Sequence, residues 1–187
     1  VLFVFLLDLL FDTFELLCAN TSSLSIKYLV IPLVDNSSLN SYQDEVCLSS
    51  FFLDRLQLLR SNELIILFES NYPPRQLLDF ISNFPADCFG INYDIGNSAS
   101  LGYNPLEEIQ SYGHRIQNVH VKDRLLNGNT VPLGNGSADF FSVFLGLSRH
   151  SYTGNFILQT ARAKNNNHAE CLMQSRNFIQ QFAPLLS

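Results

Sequence analysis

The chain has 187 residues, 47% of them hydrophobic, and a mean hydropathy of +0.10, so it can bury a sizeable core and is too apolar to be disordered. Eleven Lys and Arg against 17 Asp and Glu leave a net charge of −6 with no basic cluster to offset it. Binding along a nucleic-acid backbone is therefore disfavoured, whereas a local site for one phosphate stays open.

Val1–Leu10 is a run of Val, Leu and Phe interrupted by Asp8. It has no basic flank and soon meets Asp12 and Glu15, which predicts a buried helix and neither a signal segment nor a membrane span. Five short apolar runs follow: Tyr28–Val34, Leu64–Phe68, Phe89–Tyr93, Ile116–Val121 and Asn155–Leu158. Between them the spacing predicts helices over Gln43–Arg60, Arg75–Asn83, Pro105–Tyr112 and Asp139–Arg149, with a last one near Ala169–Phe182. Pro73-Pro74 and Pro105 stand where helices begin, and Asp139 reads as an N-cap or first-turn acid. Asn165–Asn167 reads as loop. Alternation of this kind is the signature of βα units on a parallel sheet, within one domain over residues 1–187.

A potential ligand stands just past almost every strand: Asp35, Glu69, Asp94, His120 and Gln159. In a parallel barrel these positions face one end, where active sites are built. The last four are separated by 25, 26 and 39 residues, comparable with the ~31 residues of a barrel βα unit. Two carboxylates, an imidazole and an amide oxygen suit one divalent cation: Mn²⁺, Mg²⁺, Co²⁺ or Zn²⁺. Taken one at a time, each residue reads more readily as a helix cap or a loop contact, whereas the set in one register favours a site. His114, His150 and His168 have no strand-end placement and read as surface or loop residues. Cys18, Cys47, Cys88 and Cys171 lie far apart without a CxxC pair, which reads as buried free thiols in a reducing, cytoplasmic setting.

The words YDIGN (Tyr93–Asn97), SLGYNP (Ser100–Pro105), NVHVKDR (Asn118–Arg124), VPLGNGSADF (Val131–Phe140) and FILQTAR (Phe156–Arg162) resemble the sugar phosphate isomerase/epimerase family. That family shares the xylose-isomerase-like barrel with endonuclease IV relatives. The resemblance extends upstream through VIPLVDNSS (Val30–Ser38) and LFESNYPP (Leu67–Pro74). It implies a (β/α)₈ TIM barrel, here incomplete, with about five C-terminal βα units and the first three absent. Five staves of eight would leave two parallel edges and an open inner face, to be covered by a second copy or by a longer natural chain.

The resemblance also implies one divalent metal, held by Glu69, Asp94, His120 and a fourth residue that falls on Gln159. Relatives carry a glutamate at that fourth position and use two glutamates as acid and base about a metal-stabilised cis-enediolate. A Gln amide can coordinate but cannot act as a base. Three outcomes compete: Glu69 alone works as in an aldose–ketose isomerase, Asp123 replaces the lost acid, or catalysis is absent. Asn97, Lys122, Asp123 and Arg124 are candidate contacts to a sugar or sugar-phosphate substrate, Arg124 through an anionic group. Loop capping by Asn97 before a 98–102 turn, and surface ion pairs at 122–124, are the plain alternatives. Gly134 and Gly136 of LGNG allow an unusual turn or a close backbone approach. A degenerate, non-catalytic barrel is the second reading. An endonuclease IV-like nuclease is the third, disfavoured by the acidic balance and the single well-placed His.

Overall fold

The computed structural model describes residues 2–163 and 166–186, with side chains described from residue 12 onward. Helix α1 (Leu2–Ser23) leads into the strand β1 (Tyr28–Leu33). Then come α2 (Tyr42–Leu53), α3 (Leu56–Ser61), β2 (Ile65–Ser70), α4 (Pro74–Ile81), β3 (Phe89–Asp94), α5 (Ile95–Leu101) and α6 (Pro105–Tyr112). They are followed by β4 (Ile116–Val121), the short strands β5 (Asp123–Arg124) and β6 (Thr130–Val131), α7 (Phe140–Arg149), β7 (Asn155–Leu158) and α8 (His168–Gln180). The strands β1, β2, β3, β4 and β7 form one parallel sheet in that order, every connection being helical as parallel pairing demands. β5 and β6 pair as a separate antiparallel hairpin.

All five expected strands are present. β2 and β3 run further than the apolar runs suggest, so Glu69 and Asp94 lie within the strands and not past them. The single helix expected over Gln43–Arg60 is two, broken at Asp54–Arg55, where Arg55 leaves helical geometry and its guanidinium lies over the Phe51 ring and bonds the Phe51 carbonyl. The 98–102 turn is instead the end of α5, an unexpected helix in a Gly- and Ser-rich stretch. It is nucleated by Asp94, whose side chain caps the Asn97 N–H, and closed by Gly102 in the left-handed region (φ 74°). Burial of the Val1–Leu10 stretch lies outside the described side chains, as does Asn165 altogether. Among the described residues no helix is long and apolar enough to cross a membrane.

The strands alternate between two faces. Ile66 and Phe68 of β2, Phe89, Ile91 and Tyr93 of β3, and Ile116, Val119 and Val121 of β4 enter the helix-side core. There Phe52, Phe68, Phe80, Phe84 and Phe89 pack ring to ring with centroids 4.8–5.9 Å apart. Glu69, Asn92, Asp94, Asn118 and His120 occupy the other parity. The β3–β4 ladder carries a bulge: Ile91 pairs with Ile116, but Asn92 pairs with Asn118, skipping Gln117. Without that extra residue Asp94 would sit beside Val119. With it, Asp94 sits beside His120, on one face.

All four cysteines are free thiols. Cys18 and Cys88 are buried and Cys171 half-buried, but Cys47 is exposed on α2, contrary to the expectation of burial. His114, His150 and His168 are exposed, in a turn, after α7 and at the start of α8.

Candidate metal centre

Three side chains from three adjacent strands converge. Glu69 of β2, Asp94 of β3 and His120 of β4 each bring one ligand-capable atom within 4.8 Å of the others. His120 Nδ1 lies 3.1 Å from Glu69 Oε2 and 3.9 Å from Asp94 Oδ2. Both carboxylates are buried and the imidazole half-buried, so the group is shielded from bulk water and still reachable. Burial pushes the Asp94 carboxyl above the usual aspartate range, with the Glu69 charge adding to the effect. The Lys122 ammonium, the Asn97 N–H and His120 pull it back. Two like charges crowded out of water beside an imidazole form a donor set that a divalent cation would compensate, in a hard-to-borderline combination of ligands.

Amides hold the carboxylates in place. Asn92 donates to Glu69 Oε2 at 2.8 Å and stands 3.0 Å from His120 Nδ1, while Asn118 donates to Asn92 Oδ1 at 2.5 Å. Asn97 donates to Glu69 Oε1 at 2.8 Å through its side chain, and its backbone N–H binds Asp94 Oδ1 at 2.8 Å. Its amide oxygen accepts from Lys122 Nζ at 3.2 Å and Arg124 Nη1 at 2.9 Å. Lys122 also reaches Asp94 Oδ2 at 3.4 Å, passing Gly96 so closely that a Cβ there would lie 2.7 Å from its Cγ. Asn97, Lys122 and Arg124 thus form one bonded group against the triad.

The other expected site residues fall elsewhere. Asp123 is fully buried, and its carboxylate accepts the backbone N–H groups of Gly134, Gly136 and Ala138 at 2.8–3.1 Å. Both oxygens bond the backbone of the LGNG loop, and the carboxylate is wholly shielded from the side on which a substrate would lie. This is the close approach the glycines serve: Gly134 has φ +85°, and a Cβ on Gly136 would sit 2.0 Å from Asp123 Oδ1. Gln159 follows β7 with its side chain exposed and its N–H on the Val121 carbonyl at 3.0 Å. Asp35 lies exposed in a short turn after β1.

Sequence reasoning passed over Asn92 and Asn118. Both stand two residues before a candidate ligand, in the words NYD and NVH, and a polar residue inside an apolar strand was the available signal. It also passed over Glu108 of α6, whose carboxylate is buried behind β3 and accepts from the hydroxyls of Tyr93 (2.9 Å), Tyr112 (2.9 Å) and Ser98. Burial raises the Glu108 carboxyl, and the three hydroxyls oppose that rise.

The fold and this geometry agree with the match of residues 11–182 to the model of the xylose isomerase-like TIM barrel. The chain belongs to that family. Among relatives, an inosose dehydratase of Clostridium botulinum is 29% identical over 113 residues, covering 50% of this chain and 38% of that protein. A Haemophilus influenzae protein provisionally named L-ribulose-5-phosphate 3-epimerase is 31% identical over 110 residues, covering 55% of this chain and 38% of that protein. The chain thus spans well under half the length of these relatives through the matched region. A solved structure of the IOLI protein with a bound zinc atom superposes with TM-score 0.74 over 95% of this chain and 69% of that one, at 15% identity. The family fold is accordingly present as five parallel strands that do not close into a barrel.

Proposed function

We propose that the chain carries the metal-binding half of a sugar or sugar-phosphate isomerase or epimerase. The observation that carries this reading is the convergence of Glu69, Asp94 and His120 within 4.8 Å at one end of the sheet. Relatives named for an epimerase and a dehydratase of sugar-like substrates, and a neighbour with bound zinc, support it.

Glu69, Asp94 and His120 would hold one divalent ion, Mn²⁺, Mg²⁺, Co²⁺ or Zn²⁺. Such an ion supplies Lewis-acid stabilisation for the oxygens of an enediolate. Glu69 is the base that takes a proton alpha to a carbonyl, its oxygens aimed by Asn92 and Asn97. Lys122 and Arg124 bring two positive charges to the same mouth, where they suit a phosphate or carboxylate on the substrate; Asn97, with its oxygen bonded to both and one N–H given to Glu69, would meet a hydroxyl through its second N–H. Gln159, exposed beyond β7, supplies no second base, because an amide does not titrate near neutral pH. With one base, the proton returns to a neighbouring carbon, which favours aldose–ketose isomerisation over epimerisation.

The test is Mn²⁺ titration followed by proton exchange in D₂O with candidate ketoses and ketose phosphates. Mn²⁺ binding with solvent deuterium entering the sugar is the expected result. Binding without exchange in any ketose makes the chain a non-catalytic barrel, and absence of binding removes the metal reading.

A further inference from the structure

We propose that Glu108 is a positioning residue for the metal centre, clamping from the helix side the β3–α5 turn that carries Asp94 and Asn97. The inference rests on the metal reading above and extends it to a residue that touches no ligand atom.

The geometry carries it. Glu108 lies on α6 at 2% exposure, and its two oxygens collect three hydroxyls from three elements: Tyr93 of β3, Ser98 of α5 and Tyr112 of α6 itself. Among the described residues it forms no ion pair with Lys, Arg or His within 4 Å. A buried charge answered only by neutral donors is a costly way to fill space that apolar side chains could fill. What the arrangement achieves is local. Tyr93 immediately precedes Asp94, and Ser98 immediately follows Asn97, so one carboxylate pins both ends of the turn 93–98. Within that turn Asp94 offers its Oδ2 to the triad and caps α5 with Oδ1, and Asn97 holds Glu69. Two of the three candidate ligands are therefore oriented through groups that Glu108 fixes.

Tyr112 supplies the control. It bonds the same carboxylate but belongs to the same helix, four residues on, and it meets the turn through its ring, whose centroid lies 6.4 Å from that of Tyr93 and which Tyr112→Phe retains. Tyr93→Phe, Ser98→Ala and Tyr112→Phe each delete one hydroxyl from Glu108. Mn²⁺ affinity and thermal midpoints are measured for all three and the parent chain. Tyr93→Phe and Ser98→Ala are expected to weaken Mn²⁺ about 10–100-fold, the usual consequence of losing a partner behind a metal ligand, while Tyr112→Phe changes it less than about twofold despite a similar loss of melting temperature. Equal weakening by all three, or by none, overturns the proposal. Should the parent chain bind no Mn²⁺, the metal reading fails by itself, and the ring resonances of His120 in the metal-free protein decide the clamp. Shifts in Tyr93→Phe and Ser98→Ala that are absent in Tyr112→Phe support it, and unmoved resonances overturn it.

Discussion

β3 ends in, and β7 is followed by, a polar residue that the sequence offers as a ligand, yet the two ends differ. β3 lies between β2 and β4, all six of its residues are buried, and Asp94 meets Glu69 and His120 across the ladders on either side. β7 has a neighbour on one side only. Ile157 is 47% exposed, and Gln159 beyond it is exposed as well. A strand-end residue becomes part of a site only where neighbours on both sides close the face over it. Interior and edge should therefore respond differently to substitution.

The largest effects belong to the interior. Asp94→Asn should weaken Mn²⁺ by more than the about 10–100-fold expected for an outer partner, as read by titration, and Glu69→Gln should cost about 10²–10⁴ in proton exchange while sparing some metal affinity. The pH dependence has a definite sign. Burial raises the Asp94 carboxyl, so its contribution to metal-free stability is present at low pH and lost as pH rises through its folded pKa. Metal affinity runs the other way, increasing over the same interval as the competing proton leaves. Asp94→Asn should flatten that segment of the metal-free stability curve; an unchanged curve would place the titration on another group.

Next comes Asp123→Ala. It leaves three backbone N–H groups of a partly exposed loop without the buried acceptor they share, and should cost about 3 kcal/mol in denaturant unfolding. If Asp123 were a substrate contact and not the loop's anchor, stability would be nearly unchanged and exchange alone would fall. Asn92→Leu is smaller again: it removes the donor to Glu69 and orphans the Asn118 amide, for about 1–3 kcal/mol of stability and a modest loss of Mn²⁺ affinity.

Much of this frame was legible in the sequence because it rests on local chemistry. Apolar runs of strand length gave the five strands, Pro105 and Asp139 marked two helix starts, and strand-end placement put Glu69, Asp94 and His120 among five candidate ligands that also included Asp35 and Gln159. What stayed hidden depends on pairing. No alternation in IQNVHV reveals that Gln117 is bulged out, yet that bulge turns His120 toward Asp94. The break at Arg55 lies within an apolar pattern that continues across it. Helix α5 has poor intrinsic propensity, and only the Asp94-to-Asn97 capping distance hinted at it. Asp123 looks in sequence like any acid beside two cations, and its role depends on a loop that folds back 11–15 residues later.

The smallest expected effect tests the edge. In this chain Gln159→Ala should change Mn²⁺ affinity by less than about twofold and leave the melting temperature unchanged, because an exposed side chain beyond an edge strand loses no packing. Gln159→Glu adds a carboxylate at the position where the family resemblance implies one, and with β7 open to solvent its charge is well screened, so Mn²⁺ should tighten by less than about tenfold. A larger gain would mean that the β7 end folds over the triad when metal is present. The boundary between interior and edge would then lie beyond β7, and Gln159 would be the residue that limits the chemistry.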